Sequence, residues 1–323
     1  MSHFEFAILG AGAMGSILGA HLARAGHSVA LLARGKRAAQ LRAEGLRIGG
    51  LVQFSTPITV IDDPSQLKEA DTLIIATKAI DTAASLAPLS RARIGKALSV
   101  QNGVMKNDLL AGAFGWDRVL GALANMSGEV MPSGEVLFTR NVNVLIGDLA
   151  GGVSNSTQKI AQTLDASGVR ATAVPDISSQ EWAKFAGWVG LVGVSITART
   201  PTWKYLIDRG GSTVLVRLVR EVHTLARACG VALTDHSMFP VATLSNGSEE
   251  AAVEVMQGYG RQFRENAPQH KLSTLQDIEA GRALEVEETL GFAARKAREL
   301  GLSLPLLEAT YHLANAIDHA RTL

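Results

Sequence analysis

Three glycines at a fixed spacing carry the first chemical signal in the chain. Gly10, Gly12 and Gly15 stand in the run Gly10-Ala11-Gly12-Ala13-Met14-Gly15. The apolar run Phe6-Ala7-Ile8-Leu9 precedes it, and Ser16-Ile17-Leu18-Gly19-Ala20-His21-Leu22-Ala23-Arg24 follows as a helix. Strand, glycine-rich turn and helix in that order form a dinucleotide-binding fingerprint. Gly10 permits the tight turn, Gly12 lets the backbone approach a pyrophosphate, and Gly15 lets helix and strand pack closely. The unpaired N–H groups where the helix starts, at Ala13 and Met14, and its positive dipole end complete an anion site.

The end of the second strand bears on which dinucleotide binds. Ser28-Val29-Ala30-Leu31-Leu32-Ala33 reads as that strand, and a carboxylate near its end would suit the ribose hydroxyls of NAD. Arg34 stands there instead, with Lys36 and Arg37 just after. A guanidinium fork suits the 2′-phosphate of NADP. A solvated basic turn is the plainer reading of the same residues.

Further polar residues follow strand ends on the same edge. Thr72-Leu73-Ile74-Ile75-Ala76 is a continuous apolar run, as expected of a parallel strand covered on both faces, and it leads to Thr77-Lys78. The strand Lys96-Ala97-Leu98-Ser99-Val100 leads to Gln101-Asn102-Gly103, where Asn-Gly is also a common turn dipeptide. Lys78 and Asn102 thus join Gly12 on the edge where open α/β sheets bind ligands.

The elements that position these residues follow from the pattern. Residues 36–44 read as a helix, 45–50 and 51–54 as a small hairpin, and 58–61 as a strand. A helix at 81–87 separates the two apolar strands. Residues 119–123, 135–138 and 142–146 read as three further strands, followed by a helix at 156–166 and a strand at 170–174. Beyond residue 176 the strand pattern stops. Helices are expected at 182–196, 211–229, 249–264, 286–300 and 304–319, with Gly301 as a C-cap signal and Pro305 in a first turn. The fold class is therefore α/β: a Rossmann dinucleotide-binding domain at 1–176, then an all-α domain at 177–323. A helical domain appended to a nucleotide-binding one suggests a reductase with its substrate in the cleft that joins them. The Ala- and Leu-rich last helix pair reads as core or as a subunit interface, hence a homodimer as one expectation.

Composition narrows the classes. The 323 residues are 47% hydrophobic and 19% charged, with a formal charge of +1, so nothing draws the chain toward nucleic acid or a membrane surface. One cysteine excludes an internal disulfide and a multi-cysteine metal cage. Cys229, inside a helical run, is expected to be buried and apolar in role. The 8 histidines show no metal-ligand spacing, and no metal site is expected. No signal peptide is evident, and the longest apolar run, 186–196, is too short to span a bilayer, so a cytoplasmic location is expected. Ser65-Gln66-Leu67-Lys68 matches a Ser-x-x-Lys nucleophile pattern without a partner motif.

In order along almost the whole chain, these motifs resemble those of the ketopantoate reductase (2-dehydropantoate 2-reductase) family. Gly10 to Gly15 is similar to its cofactor loop, Arg34 to its 2′-phosphate ligand, and Thr77-Lys78-Ala79 and Gln101-Asn102-Gly103 to two further signatures. Trp182-Ala183-Lys184 stands where the family has its catalytic lysine. Ser273-Thr274-Leu275-Gln276-Asp277-Ile278 with Glu285-Val286-Glu287 resembles the C-terminal signature. The resemblance implies NADPH-dependent reduction of a 2-oxo acid, ketopantoate to pantoate in pantothenate and CoA biosynthesis. It implies Lys184 as general acid, Glu285 as its acidic partner, and Asn102 and Ser273 as ligands for the substrate's polar groups. On residue type alone, Lys184 and Glu285 read as surface helix charges.

One departure concerns the substrate. The family usually carries two asparagines one and two turns after the lysine, and this chain has Trp188 and Val192 there. A pocket lined by apolar rather than hydrogen-bonding groups selects differently. A reductase of a bulkier or more apolar 2-oxo or carbonyl substrate is therefore a second expectation, and a non-catalytic NADPH-binding sensor a third.

Overall fold

The computed structural model describes residues 3–321 and resolves into two compact units, one ending at Ser178 and the other beginning at Ser179. The first unit runs β1 (His3–Leu9), α1 (Ala13–Arg24), β2 (Val29–Leu32), α2 (Gly35–Glu44), β3 (Leu46–Gly50), β4 (Phe54–Thr56), β5 (Thr59–Ile61) and β6 (Glu69–Ile75). It continues through α3 (Thr82–Leu86), β7 (Arg93–Ser99), α4 (Met105–Phe114), β8 (Val119–Val130), β9 (Val136–Asp148), α5 (Asn155–Ala166) and β10 (Ala171–Ala173). The strands form one sheet in the order β4-β3-β9-β8-β7-β6-β1-β2-β5, with β10 beside β9.

The central strands are parallel and buried on both faces because their side chains alternate between two cores. Phe6 and Ile8 of β1 join Ile17, Leu18 and Leu22 of α1 on one face. Ala7 and Leu9 join Leu73 and Ile75 of β6 and Leu110 of α4 on the other. Each such leucine or isoleucine contributes roughly 2 kcal/mol by burial.

Register places the working edge. Ile61, Leu32, Leu9, Ile75 and Ser99 pair in a single row across β5, β2, β1, β6 and β7. The parallel strands therefore end together, and Arg34, Gly10, Thr77, Lys78, Gln101 and Asn102 all leave the sheet on one side.

Several local expectations are corrected here. The strands expected at 135–138 and 142–146 are one strand, β9, and β8 runs on to Val130. The polar residues Thr139, Arg140 and Asn141 resemble a turn, but they are exposed (Thr139, Arg140) and half-buried (Asn141) positions of a long antiparallel hairpin whose register shifts beside Met126 and Gly128. Helix α4 was not expected: its buried Lys106 and Asn107 break the apolar pattern.

The second unit is helical. α6 (Ile177–Ala198) starts before residue 182, its first two residues still belonging to the first unit, where Ile177 is buried among Leu123 and Leu145 of the sheet. Then come α7 (Thr202–Ile207), α8 (Arg209–Ala228), α9 (Val241–Asn246), α10 (Glu249–Asn266), α11 (Ser273–Glu279), α12 (Phe292–Glu299) and α13 (Pro305–Ala320). Small residues on α6 let its neighbours close in. A Cβ on Gly190 would lie 3.0 Å from Leu215 of α8, and one on Gly193 would lie 3.1 Å from Thr310 of α13. The helix expected at 286–300 opens instead as a π turn, Glu287–Gly291, with Gly291 N–H bonded to the Val286 carbonyl at 2.8 Å. Gly301 follows the end of α12 with φ +67, as its capping role requires. Cys229 is only half-buried, at the C-cap of α8, so it has no core role. Among the described residues no helix is long and apolar enough to cross a membrane.

Candidate active site

Three glycines build the turn after β1, each for a different reason. Gly10 has φ +111, and a Cβ there would come within 2.7 Å of the Thr77 nitrogen. A Cβ on Gly15 would collide with the Gly10 carbonyl, which is how closely α1 passes the turn. Gly12 is different. Its φ of −70 suits any residue, and a Cβ there would meet no protein atom within 4 Å. Neither backbone geometry nor packing requires glycine at that position. What remains is room for something that is not protein. Gly12 is also the N-cap of α1, with no side chain capping the helix, and Ala13 and Met14 form the first helical turn. Backbone donors are thus left facing outward.

A cavity of about 360 Å3 lies against this turn. Gly10, Ala11 and Gly12 line it with Arg34, Arg37 and Thr77. Pro64 closes it from the turn after β5, and Ala84, Ser85 and Pro88 close it from α3 and the turn that follows, a contribution the sequence did not signal. Arg34 is exposed and is the N-cap residue of α2. No acid follows β2. The carboxylates after β5 are occupied: Asp62 pairs with Arg42 at 2.8 Å, and Asp63 accepts from the Ser65 hydroxyl at 2.8 Å. Arg42 holds the Asp62 carboxyl below its usual range. A backbone cradle, a guanidinium and apolar walls fit a dinucleotide phosphate group.

Lys78 and Asn102 are exposed on the same edge but do not line this cavity. Their loops are held by a buried network. Gln101 donates to the Thr77 carbonyl at 2.9 Å and to the Thr82 hydroxyl at 2.6 Å, and it accepts from the Ser99 hydroxyl at 2.9 Å. Lys106 donates to the Gln101 carbonyl at 3.1 Å and also to the Ala122 carbonyl.

In the second unit, Lys184 sits on α6. Along residues 180–196 every side chain is buried except Lys184 and Trp188, which lie one turn apart on the same face. Trp188 stacks on Phe185 with ring centroids 6.3 Å apart, whereas Val192 is buried. Ser273 is the exposed first residue of α11. Glu285 is half-buried just before the π turn, where the Thr289 hydroxyl bonds its carbonyl oxygen. π turns re-aim the residues around them and recur at functional sites. Here the turn brings Glu288 beside Glu285 and Glu287, and burial together with those two charges pushes the Glu288 carboxyl up. Glu287 is itself tied to Arg295 at 2.6 Å and to the Tyr311 hydroxyl at 2.7 Å. Among the described residues no group of His, Cys, Asp and Glu could hold a metal ion.

The fold and these motifs agree with family models. Residues 6–151 match the ketopantoate reductase PanE/ApbA model, and residues 176–318 match its C-terminal companion. The chain belongs to the ketopantoate reductase family. It is 30% identical to the 2-dehydropantoate 2-reductase of Archaeoglobus fulgidus over 312 residues, covering 96% of this chain and 97% of that one. Among solved structures it is similar to a ketopantoate reductase from Ralstonia eutropha, with a TM-score of 0.82 at 24% identity and both chains fully covered. It is also similar to a D-mandelate dehydrogenase solved with NADH and anilino(oxo)acetate, with a TM-score of 0.80 at 19% identity over both full chains. At those identities the two structures establish the shared fold. Ketopantoate reductases are oxidoreductases acting on CH–OH groups with a nicotinamide dinucleotide, and the glycine-lined cavity is where this member's residues suit one.

Proposed function

We propose that this chain reduces a 2-oxo acid to a 2-hydroxy acid with NADPH, and that the reaction is ketopantoate to pantoate in the cytoplasmic synthesis of pantothenate and CoA. The observation that carries the cofactor assignment is Arg34 on the rim of the glycine-lined cavity, with no carboxylate ending β2. Its guanidinium complements a 2′-phosphate, whereas an acid there would suit the free ribose hydroxyls.

When bound, the cofactor supplies the hydride. The chain's own residues supply the rest. Lys184 donates a proton from Nζ to the ketone oxygen, and its positive charge offsets that of the developing alkoxide. Glu285 hydrogen-bonds the new hydroxyl or holds the lysine in place. Asn102 and Ser273 hold the substrate's polar groups, and Lys78 serves the cofactor. In this reading residues 1–176 bind the dinucleotide and residues 177–323 bind substrate.

Trp188 favours a second reading of the substrate. Along residues 180–196 it is the one side chain besides Lys184 that is only half-buried, and it offers an aromatic face where the family usually has asparagine. An aromatic 2-oxo acid would stack there.

The test is NADPH consumption by the purified protein with ketopantoate beside a panel of aliphatic and aromatic 2-oxo acids. Turnover confined to ketopantoate supports the first reading, and turnover confined to aromatic acids supports the second. Tight NADPH binding with nothing reduced would leave a sensor. Arg34→Ala tests the cofactor: NADPH affinity should fall about 10- to 100-fold, the scale of a lost charge-assisted contact, with NADH affinity little changed. Equal losses for both would refute the NADP assignment.

A further inference from the structure

The basic cluster after β2 is divided in its work. Arg34 and Lys36 are exposed, but Arg37 is half-buried and every guanidinium nitrogen donates inward. Its Nε reaches the Ala11 carbonyl at 3.3 Å, and its Nη2 reaches the Ser16 hydroxyl oxygen at 3.1 Å. Its Nη1 serves the Gly134 carbonyl at 2.7 Å and Gln40 Oε1 at 3.1 Å. Ser16 is fully buried and donates its own hydroxyl proton to the Ala11 carbonyl at 3.2 Å. The carbonyl between the first two fingerprint glycines therefore accepts two bonds, one of them from a charged donor.

A trans peptide is planar, with its C=O and N–H on opposite sides. No cis bond occurs among the described residues. Fixing the Ala11 carbonyl toward Arg37 and Ser16 therefore fixes the Gly12 N–H in the opposite direction. Gly12 is exposed, it lines the cavity, and no described residue accepts its N–H. A charged donor on a carbonyl also polarises the peptide and strengthens the N–H as a donor.

We propose that Arg37 is a positioning residue: through the Ala11 carbonyl it holds the Ala11–Gly12 peptide so that the Gly12 N–H is presented to the dinucleotide's pyrophosphate. This rests on the reading that the cavity takes a nicotinamide dinucleotide, and it separates two roles within one basic cluster. Arg34 discriminates between NADPH and NADH. Arg37 serves both alike, because both carry the same pyrophosphate.

The experiment is calorimetric titration of NADPH and of NADH into the full-length protein and its variants. Arg37→Met should weaken both cofactors by the same factor, about tenfold, with KM raised and kcat at saturating cofactor retained. Arg37→Lys keeps a charge and a shorter donor, and it should recover part of the loss. Ser16→Ala should weaken both cofactors equally but less. Gln40→Ala removes the acceptor that α2 offers Arg37 Nη1 without touching the Ala11 carbonyl, and should leave both affinities unchanged. A loss confined to NADPH would make Arg37 a phosphate ligand and overturn the proposal. So would no loss at all, or a Gln40→Ala effect as large as that of Arg37→Met.

A second readout needs no cofactor. The amide nitrogen shift of Gly12 reports the hydrogen bond at the preceding carbonyl, and it should move in Arg37→Lys and Ser16→Ala but not in Gln40→Ala. If the wild-type protein bound neither dinucleotide, the cofactor reading would fail by itself. An unmoved Gly12 resonance would overturn the role given to Arg37 in either case.

Discussion

Gly12 and Gly15 make opposite predictions under the same substitution. A methyl on Gly15 would overlap the Gly10 carbonyl and lie 3.2 Å from the Ala76 side chain, with backbone on the crowded side. Relief requires moving α1 off the sheet, at a cost of about 3 kcal/mol or more. For a unit ending at Ser178 that corresponds to a melting temperature lower by about 6–12 °C. At Gly12 the methyl meets no protein atom within 4 Å, and φ is already −70. Alanine is a poorer N-cap than glycine by a few tenths to about 1 kcal/mol, but it also lowers the entropy of the unfolded chain by a similar amount. The net change should stay within about 0.5 kcal/mol. The cost should appear in binding instead, since the methyl fills the space a phosphate oxygen needs, and NADPH affinity should fall about tenfold or more. Thermal melts with and without NADPH, together with calorimetric titration, separate the two effects. If Gly12→Ala melts as early as Gly15→Ala, or binds NADPH like the wild type, then Gly12 is not there for a ligand.

Further outcomes follow from the proposed function and from the same structure. Lys184→Ala should lower kcat by about 100- to 1,000-fold, as expected for loss of a general acid, with calorimetric NADPH affinity changed less than twofold. Trp188→Asn should shift kcat/KM away from aromatic and toward small polar 2-oxo acids, and an unchanged ranking across the panel would remove Trp188 from the pocket. Gln101→Leu strands the Thr77 carbonyl and two hydroxyls, so urea unfolding should show a loss of about 2–3 kcal/mol. His21 donates Nδ1–H to the Ser167 carbonyl at 2.9 Å while its Nε2 is buried without a partner, and burial holds the ring below its ordinary 6.5. Acid therefore protonates the unfolded chain first. The stability His21 contributes is complete above about pH 6.5 and is lost as pH falls below it, and His21→Gln should flatten that part of a stability–pH curve.

The edge of the sheet was legible because the strands that form it are short, apolar and punctuated by Gly, Thr-Lys and Asn-Gly at their ends. Alternation between two cores gives continuous apolar runs, and register then brings the punctuated ends into one row. The long β8–β9 hairpin was not legible, since Thr139-Arg140-Asn141 has the composition of a turn while lying in the middle of a strand. The π turn before α12 was hidden by Val286 and Leu290, which keep helical spacing while the backbone takes an extra residue. Arg37 was the least visible. A basic residue in a basic cluster reads as solvated, and only the partner oxygens on Ala11, Ser16 and Gly134 show that it points inward.

Those partners reveal how the loops at the edge are held. The Ala11 carbonyl after β1 is held by Arg37 and Ser16, the Thr77 carbonyl after β6 by Gln101, and the Gln101 carbonyl after β7 by Lys106. In each case a side chain secures the loop from within the protein, where Arg37 is half-buried and Ser16, Gln101 and Lys106 are buried. A loop that must be ordered by its ligand gives up part of the binding free energy to that ordering. Here the acceptors are satisfied before any ligand arrives, so the backbone donors on the outer side are already aimed. The consequence is thermodynamic: dinucleotide binding should bury apolar surface with a modest negative heat-capacity change, without the larger signature of coupled folding. It also explains why a charged residue is tolerated inside this turn. Arg37 supplies several donors from one rigid fork, and an aliphatic replacement would leave the Ala11 and Gly134 carbonyls short of partners at the point where the fold meets its cofactor.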